Sequence, residues 1–278
     1  MTTYEQLEVE RIGRVQVIRF NNPDRMNALS PTMSREFVEA IELANDDPEV
    51  GAIVSTGNGR AYCSGADIGR FEERQSSPET GQPERRRSAW DPDFLSASKP
   101  IVGAINGVAA GAGLTGPLHF DTLVASTEAR FSMRFAAIGM TPELESTWLL
   151  PKIVGLHRAN EMMLTGRVYS AADALELGLV HRLVEPEDLL PEAVTLAAEI
   201  AANSDTTLRQ IKRLVWQDLV EHDFGTTRRR SSEVFRASVR SLEAREATRA
   251  FREKRPPKYH DAAYMAELAA EVDEPGAN

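Results

Sequence analysis

The chain has 278 residues, 42% of them apolar, and 42 acidic side chains against 32 basic ones leave a net charge of −10. That length supports one large domain with a smaller appendage, and the apolar share supports a real core. The acidic balance argues against non-specific nucleic-acid binding, no stretch is long and apolar enough for a membrane span, and a lone cysteine, Cys63, excludes an intrachain disulfide.

Residues 7–10 and 15–20 alternate apolar and polar around Gly13 and predict a β-hairpin. Ser30-Pro31 is a helix start, with Ser30 as cap and Pro31 in the first turn. Phe37, Ala40, Ile41 and Ala44 then keep helical spacing to about residues 45–48. Residues 50–55 predict a buried strand. Residues 71–93 are polar and almost without aliphatic side chains, which predicts a mobile loop with at most a short helix. Strands are expected at 101–105, 122–125 and 129–132. The chain turns helical from about Ser146, with short helices at 161–165 and 171–177, the second capped by Ser170. Residues 179–184 read as a strand, and 186–202, 206–220 and 226–254 as long helices, the last breaking near Ser241. Residues 271–278 are expected to be disordered. Strands alternating with helices, followed by a helical end, predict an α/β core at 1–200 and a C-terminal helical region at 201–278. The N-terminus lacks the basic and apolar regions of a signal peptide, so a cytoplasmic protein is expected.

The stretch from Ile101 to Gly116 is an apolar strand that breaks at Asn106-Gly107 and runs on through Gly111, Ala112 and Gly113. Glycines between a strand and a helix present bare N–H groups to a ligand. Gly111, Gly113 and Gly116 match G-x-G-x-x-G, but the dinucleotide fingerprint also needs an acid about 20 residues on. Phe135, Ala136 and Ala137 stand there instead. A second turn of small residues, Gly65-Ala66-Asp67, also precedes a helical start. Two such turns after parallel strands can aim two N–H groups at one oxygen, the arrangement of an oxyanion hole.

Cys63 and Ser64 lack the G-x-S-x-G elbow of a nucleophile, and Cys63 reads as a small buried hydrophobe. The five histidines, His119, His157, His181, His222 and His260, are scattered without metal-ligand spacing. Residues 141–148 hold two carboxylates in a mostly apolar context. Glu145 reads as an acid favouring a helix N-terminus; Glu143, just before that helix, is equally able to face a pocket. Arg85–Arg87 and Arg228–Arg230 read as solvated faces.

Together these motifs resemble the crotonase family, the enoyl-CoA hydratase/isomerase superfamily, from about Tyr4 to Lys258. The pieces are Asn22-Pro-Asp-Arg-Met-Asn-Ala-Leu29, Ala61-Tyr-Cys-Ser-Gly-Ala-Asp-Ile68, the stretch from Lys99 to Gly113, Leu150-Pro-Lys-Ile-Val-Gly155, the stretch from Ala171 to Val180, and Phe251-Arg-Glu-Lys-Arg255. The resemblance implies an α/β spiral of ββα units with a C-terminal helical trimerisation region, a homotrimer or hexamer, and a coenzyme A thioester substrate. CoA would be part of the substrate, with no separate cofactor or metal. The family's oxyanion N–H groups fall on Ala66 and Ala112. Its CoA-contacting positions fall on Arg25, Ser64, Ala66, Ile68, Phe251 and Lys254. The two glutamates of a family hydratase would fall at Thr115 and Phe135, neither of which is a carboxylate. Glu143 stands where some family isomerases, similar to the Δ3,Δ2-enoyl-CoA isomerases, carry a single catalytic glutamate, with Glu145 as the second candidate. The expected activity is an enoyl-CoA isomerase. The alternatives are an atypical hydratase, an acyl-CoA hydrolase or dehalogenase, or a CoA-binding protein without catalysis.

Overall fold

The computed structural model describes residues 3–66 and 91–273. The described chain forms two compact units, Met1–Ala201 and Ala202–Asn278.

The first unit is α/β. β1 (Leu7–Ile12) and β2 (Val15–Phe20) make the expected antiparallel hairpin. β3 (Ala52–Gly57), β5 (Ile101–Ile105), β7 (Thr122–Ser126) and β10 (Arg182–Val184) extend it by parallel pairing, in the order β1-β2-β3-β5-β7-β10. A second sheet, in the order β4-β6-β8-β9, consists of three-residue strands: β4 (Ala61–Cys63), β6 (Val108–Ala110), β8 (Arg130–Ser132) and β9 (Val168–Ser170). The chain leaves the larger sheet for the smaller one three times, from β3 to β4, β5 to β6 and β7 to β8. No sequence repeat marks this structural repeat. The sequence reading missed β4, β6 and β9, whereas the equally short β8 and β10 fall within the strands expected at 129–132 and 179–184.

The central parallel strands β3, β5 and β7 of the larger sheet are buried on both faces, as parallel pairing requires. Helix α1 (Pro31–Asp46) is capped by the Ser30 hydroxyl, which accepts from the Met33 N–H. It buries Met33, Phe37 and Ile41, and Phe37 lies 5.1 Å from the Phe20 ring, centroid to centroid. Other helices of this unit are α2 (Pro92–Ala97), α3 (Ala112–Thr115), α4 (Ser146–Val154), α5 (Leu156–Thr165), α6 (Ala171–Glu176) and α7 (Leu189–Ala201). On α7, Leu189, Ala193, Ala197 and Ala201 recur every four residues and pack on Val15, Val17, Val54, Val102 and Val124. Small side chains at that spacing let a helix lie close to a sheet.

The second unit holds α8 (Asp205–Val220), α9 (Phe224–Ser238), α10 (Leu242–Glu253) and α11 (Ala262–Asp273). The expected break at Ser241 is the cap of α10, whose hydroxyl accepts from the Ala244 N–H. Helix α11 corrects the reading of the tail: residues 271–273 are helical, and 274–278 lie outside the described residues. Likewise, of the loop expected at 71–93, the end is helix α2, capped by the Asp91 carboxylate, and residues 71–90 lie outside the described chain. Helix α5 begins five residues earlier than expected, straight after Gly155.

Candidate active site

The smaller sheet sets the site. β4 and β6 are parallel neighbours, and each ends in a glycine turn, at Gly65 and at Gly111. Gly65 has φ +103°, and a β-carbon there would sit 2.8 Å from the Ala110 carbonyl oxygen and 3.6 Å from the Ala112 nitrogen. Only glycine lets the two turns come this close. Behind them, a β-carbon on Gly113 would fall 2.0 Å from the Cys63 carbonyl oxygen. Helix α3 is thus seated directly on β4.

Ala112 opens α3, so its N–H is one of the helix's orphan donors. Among the described residues, neither it nor the Ala66 N–H donates to a backbone carbonyl. The Gly65-Ala66 turn is tied from outside by the preceding loop. Ser64 N–H donates to the Met26 carbonyl at 3.1 Å, and Leu29 N–H to the Gly65 carbonyl at 2.8 Å. Asn27 holds that loop in shape. Fully buried, with φ +53°, it accepts from the Asn22 N–H and donates to the carbonyls of Asn58 and Ala61. Its role was legible only as part of the Asn22–Leu29 motif.

Thr115 and Phe135 line this region instead of carboxylates. The Thr115 hydroxyl is buried and has no hydrogen-bond partner among the described residues. Phe135 is buried, and a β-carbon on Gly111 would meet its ring tip at 3.9 Å. Cys63 is buried as expected, and burial pushes its thiol up to about 12. A thiol held neutral at physiological pH is no nucleophile.

The two glutamates sit on the turn before α4. Glu143 is exposed, and its carbonyl accepts from the Ser146 N–H at 3.2 Å and the Ser146 hydroxyl at 2.6 Å. Leu144 and Glu145 are both left-handed, with φ of +54° and +51°. That conformation costs roughly 1–2 kcal/mol per non-glycine residue. Glu145 stands at the helix N-terminus, where the sequence reading put it. It is the residue before the helix, its side chain makes no cap, and its carboxylate lies 3.6 Å from His119 Nε2. His119 is buried in the 3-10 turn Gly116–His119 that continues α3, and its Nδ1 faces the Gly116 carbonyl at 3.1 Å. Burial holds the ring below the ordinary histidine range, while the Gly116 carbonyl and Glu145 pull the other way. No motif or spacing in the sequence links the two positions.

The remaining expected positions lie on several elements. Arg25 is exposed in the 3-10 turn Pro23–Arg25. Ser64 is half-buried, and Ile68 lies outside the described residues. Phe251, 86% exposed, and Lys254, the left-handed cap of α10, belong to the second unit. Arg85–Arg87 lie outside the described residues. Arg229 and Arg230 pair with local acids, Arg229 with Asp223 and Arg230 with Asp218 and Glu221, as a solvated face does. Among the described residues, no helix is long and apolar enough to cross a membrane.

The sequence model of the enoyl-CoA hydratase/isomerase family covers residues 10–262. The chain belongs to that family. A Thermus thermophilus protein carrying the name of an enoyl-CoA hydratase is 38% identical over 91% of this chain and 100% of its own length. The 1,2-epoxyphenylacetyl-CoA isomerase of Escherichia coli is 31% identical over 88% of this chain and 94% of its own. The crystal structure of an enoyl-CoA hydratase subunit from Geobacillus kaustophilus superposes with a TM-score of 0.81, at 33% identity, over 92% of this chain and 98% of its own. The fold is the crotonase fold, and the chain is an enzyme of this family.

Proposed function

We propose that the protein is an acyl-CoA isomerase that shifts a double bond through an enolate held by two backbone N–H groups, with one carboxylate moving the proton. The thioester oxygen of a 3-enoyl-CoA would lie between the N–H groups of Ala66 and Ala112. Glu143 would take a proton from C2, leaving a dienolate whose negative charge rests on that oxygen, and return the proton to C4. The double bond ends between C2 and C3. One carboxylate suffices, because the same proton leaves and returns, and the reaction draws on no separate cofactor or metal.

The observation that carries this reading is the substitution of both hydratase glutamate positions by Thr115 and Phe135 beside a close pair of glycine turns. Adding water across a double bond needs a base for the water and an acid for C2. Buried threonine and phenylalanine supply neither. In this reading Arg25, Ser64, Ala66 and Ile68 face the CoA moiety, Phe251 and Lys254 serve the CoA of a neighbouring copy, and the protein works in the cytoplasm as a homotrimer or hexamer. Exposed Phe224, Phe235 and Phe251 on the second unit support assembly.

The test is conversion of a 3-enoyl-CoA to its 2-enoyl isomer by the wild type and by Glu143→Gln. Loss of a general base typically removes about 10²–10⁴-fold of rate. Undiminished turnover by the variant would remove Glu143 from the mechanism. A second reading, hydration of a 2-enoyl-CoA, is favoured by the hydratase names of most relatives and by the presence of two carboxylates, Glu143 and Glu145, on one turn. Formation of a 3-hydroxyacyl-CoA as the main product would favour it.

A further inference from the structure

A cavity outside the candidate active site lies wholly within the second unit. Its volume is about 520 Å³, and residues of α10 and α11 line it. Three of these residues are Arg245, Arg249 and Arg252. They recur four and three positions apart, so they share one face of α10, where like charges repel. Arg249 is neutralised by Glu271 of α11, at 2.5 Å. Glu253, the other acid on the cavity wall, is taken by Arg255 at 2.6 Å. Arg245 and Arg252 are exposed, and among the described residues no acid pairs with either. Two guanidinium charges therefore line this cavity without a counter-charge, in a chain whose net charge is −10.

The wall that closes the cavity is not part of the family pattern. That pattern ends at residue 262, and Leu268 and Glu271 lie beyond it on α11. Phe251 and Lys254, the α10 positions expected to serve a neighbour's CoA, do not line the cavity. We propose that the cavity binds a small molecule bearing adjacent phosphates, held by Arg245 and Arg252 with Arg249 between them. A guanidinium stays charged at physiological pH and meets phosphate oxygens in a bidentate fork. Two uncompensated guanidinium charges match the two or more negative charges of a diphosphate, whereas one carboxylate leaves one of them unmatched. Val239 and Leu268 add apolar surface on which the body of such a molecule can rest. This inference goes beyond the isomerase reading and does not rest on it, since no residue of the candidate active site lines the cavity.

The test is isothermal titration of the full chain with pyrophosphate at constant ionic strength. The wild type is compared with Arg245→Gln, Arg252→Gln and the double variant. Both positions are exposed and glutamine is a good helix former, so the fold should stand, as circular dichroism would verify. Saturable binding is expected in the wild type, weakened about 3-fold by either substitution and about 10-fold by both. Pyrophosphate should raise the melting temperature of the wild type more than that of the double variant. Acetate should bind more weakly than pyrophosphate, and Lys254→Gln should bind pyrophosphate as the wild type does. ATP binding more tightly than pyrophosphate would assign the site to a nucleotide, and equal affinity to the free diphosphate; either sustains the site. Three results would overturn it: no saturable binding by the wild type, wild-type affinity in the folded double variant, or acetate binding as tight as that of pyrophosphate.

Discussion

The glycine turns at Gly65 and Gly111 and the carboxylate turn at Glu143 are built by opposite means. The first two are backbone features embedded in the core. Gly65 meets Ala110 and Ala112, Gly113 meets Cys63, and Leu29 and Met26 tie the first turn from outside. The third is an exposed surface turn, left-handed at two residues, in which the Ser146 hydroxyl donates to the Glu143 carbonyl. Donors that stabilise a developing charge gain most from rigidity and dryness. A carboxylate on a surface turn can be exchanged or moved at little cost to the fold. The division fits a family whose members carry both hydratase and isomerase names.

This comparison can be broken at its strongest point first. Ala112→Pro deletes one N–H at the first position of a helix, where proline is tolerated. Loss of an oxyanion donor is worth about 3–4 kcal/mol, so kcat for isomerisation is expected to fall about 10²–10³-fold while circular dichroism stays unchanged. Activity near wild type would mean that the Ala112 N–H does not meet the thioester oxygen.

Gly113→Ala tests the packing under the same turn. The added methyl has no space beside the Cys63 carbonyl, so α3 must move off β4. Overpacking of this kind costs up to about 3 kcal/mol, read as a lower denaturant midpoint together with lost activity. A wild-type midpoint would show that the two turns can separate without strain.

The smallest effect is expected in the second unit, at a buried carboxylate tied into a polar network. Glu246 is buried and accepts from Arg255, Tyr264 and the Lys258 N–H. The Arg255 guanidinium foremost, then Tyr264 and the Lys258 amide, hold its carboxyl down to about 2 against the cost of burial. A depressed carboxylate contributes stability that is fully present above the ordinary glutamate range and is lost as pH falls towards the folded value. Thermal melts between pH 7 and pH 2 should therefore show the wild type losing its lead over Glu246→Gln only below the ordinary glutamate range. A lead that stays constant down to about pH 2 would show that the carboxylate does not couple to folding.

Local chemistry in the sequence determined the hairpin, the Ser30 and Ser170 caps, the break at Ser241 and the helical C-terminal region. Each is written in neighbouring residues, by alternation, a capping hydroxyl or helical spacing. The glycine turns were legible too, because glycine at a strand end has few other uses. The short strands β4, β6 and β9 were not, since their pairing joins segments tens of residues apart. Tertiary structure also decided the roles around the carboxylates. Glu145 looks like a helix-dipole acid by its neighbours, and His119 looks like one of five scattered histidines. Only the packing of the α3 segment beneath the α4 turn brings them to 3.6 Å, twenty-six positions apart in the chain. A contact between such distant residues, with no period or motif linking them, exists only once the core has placed both.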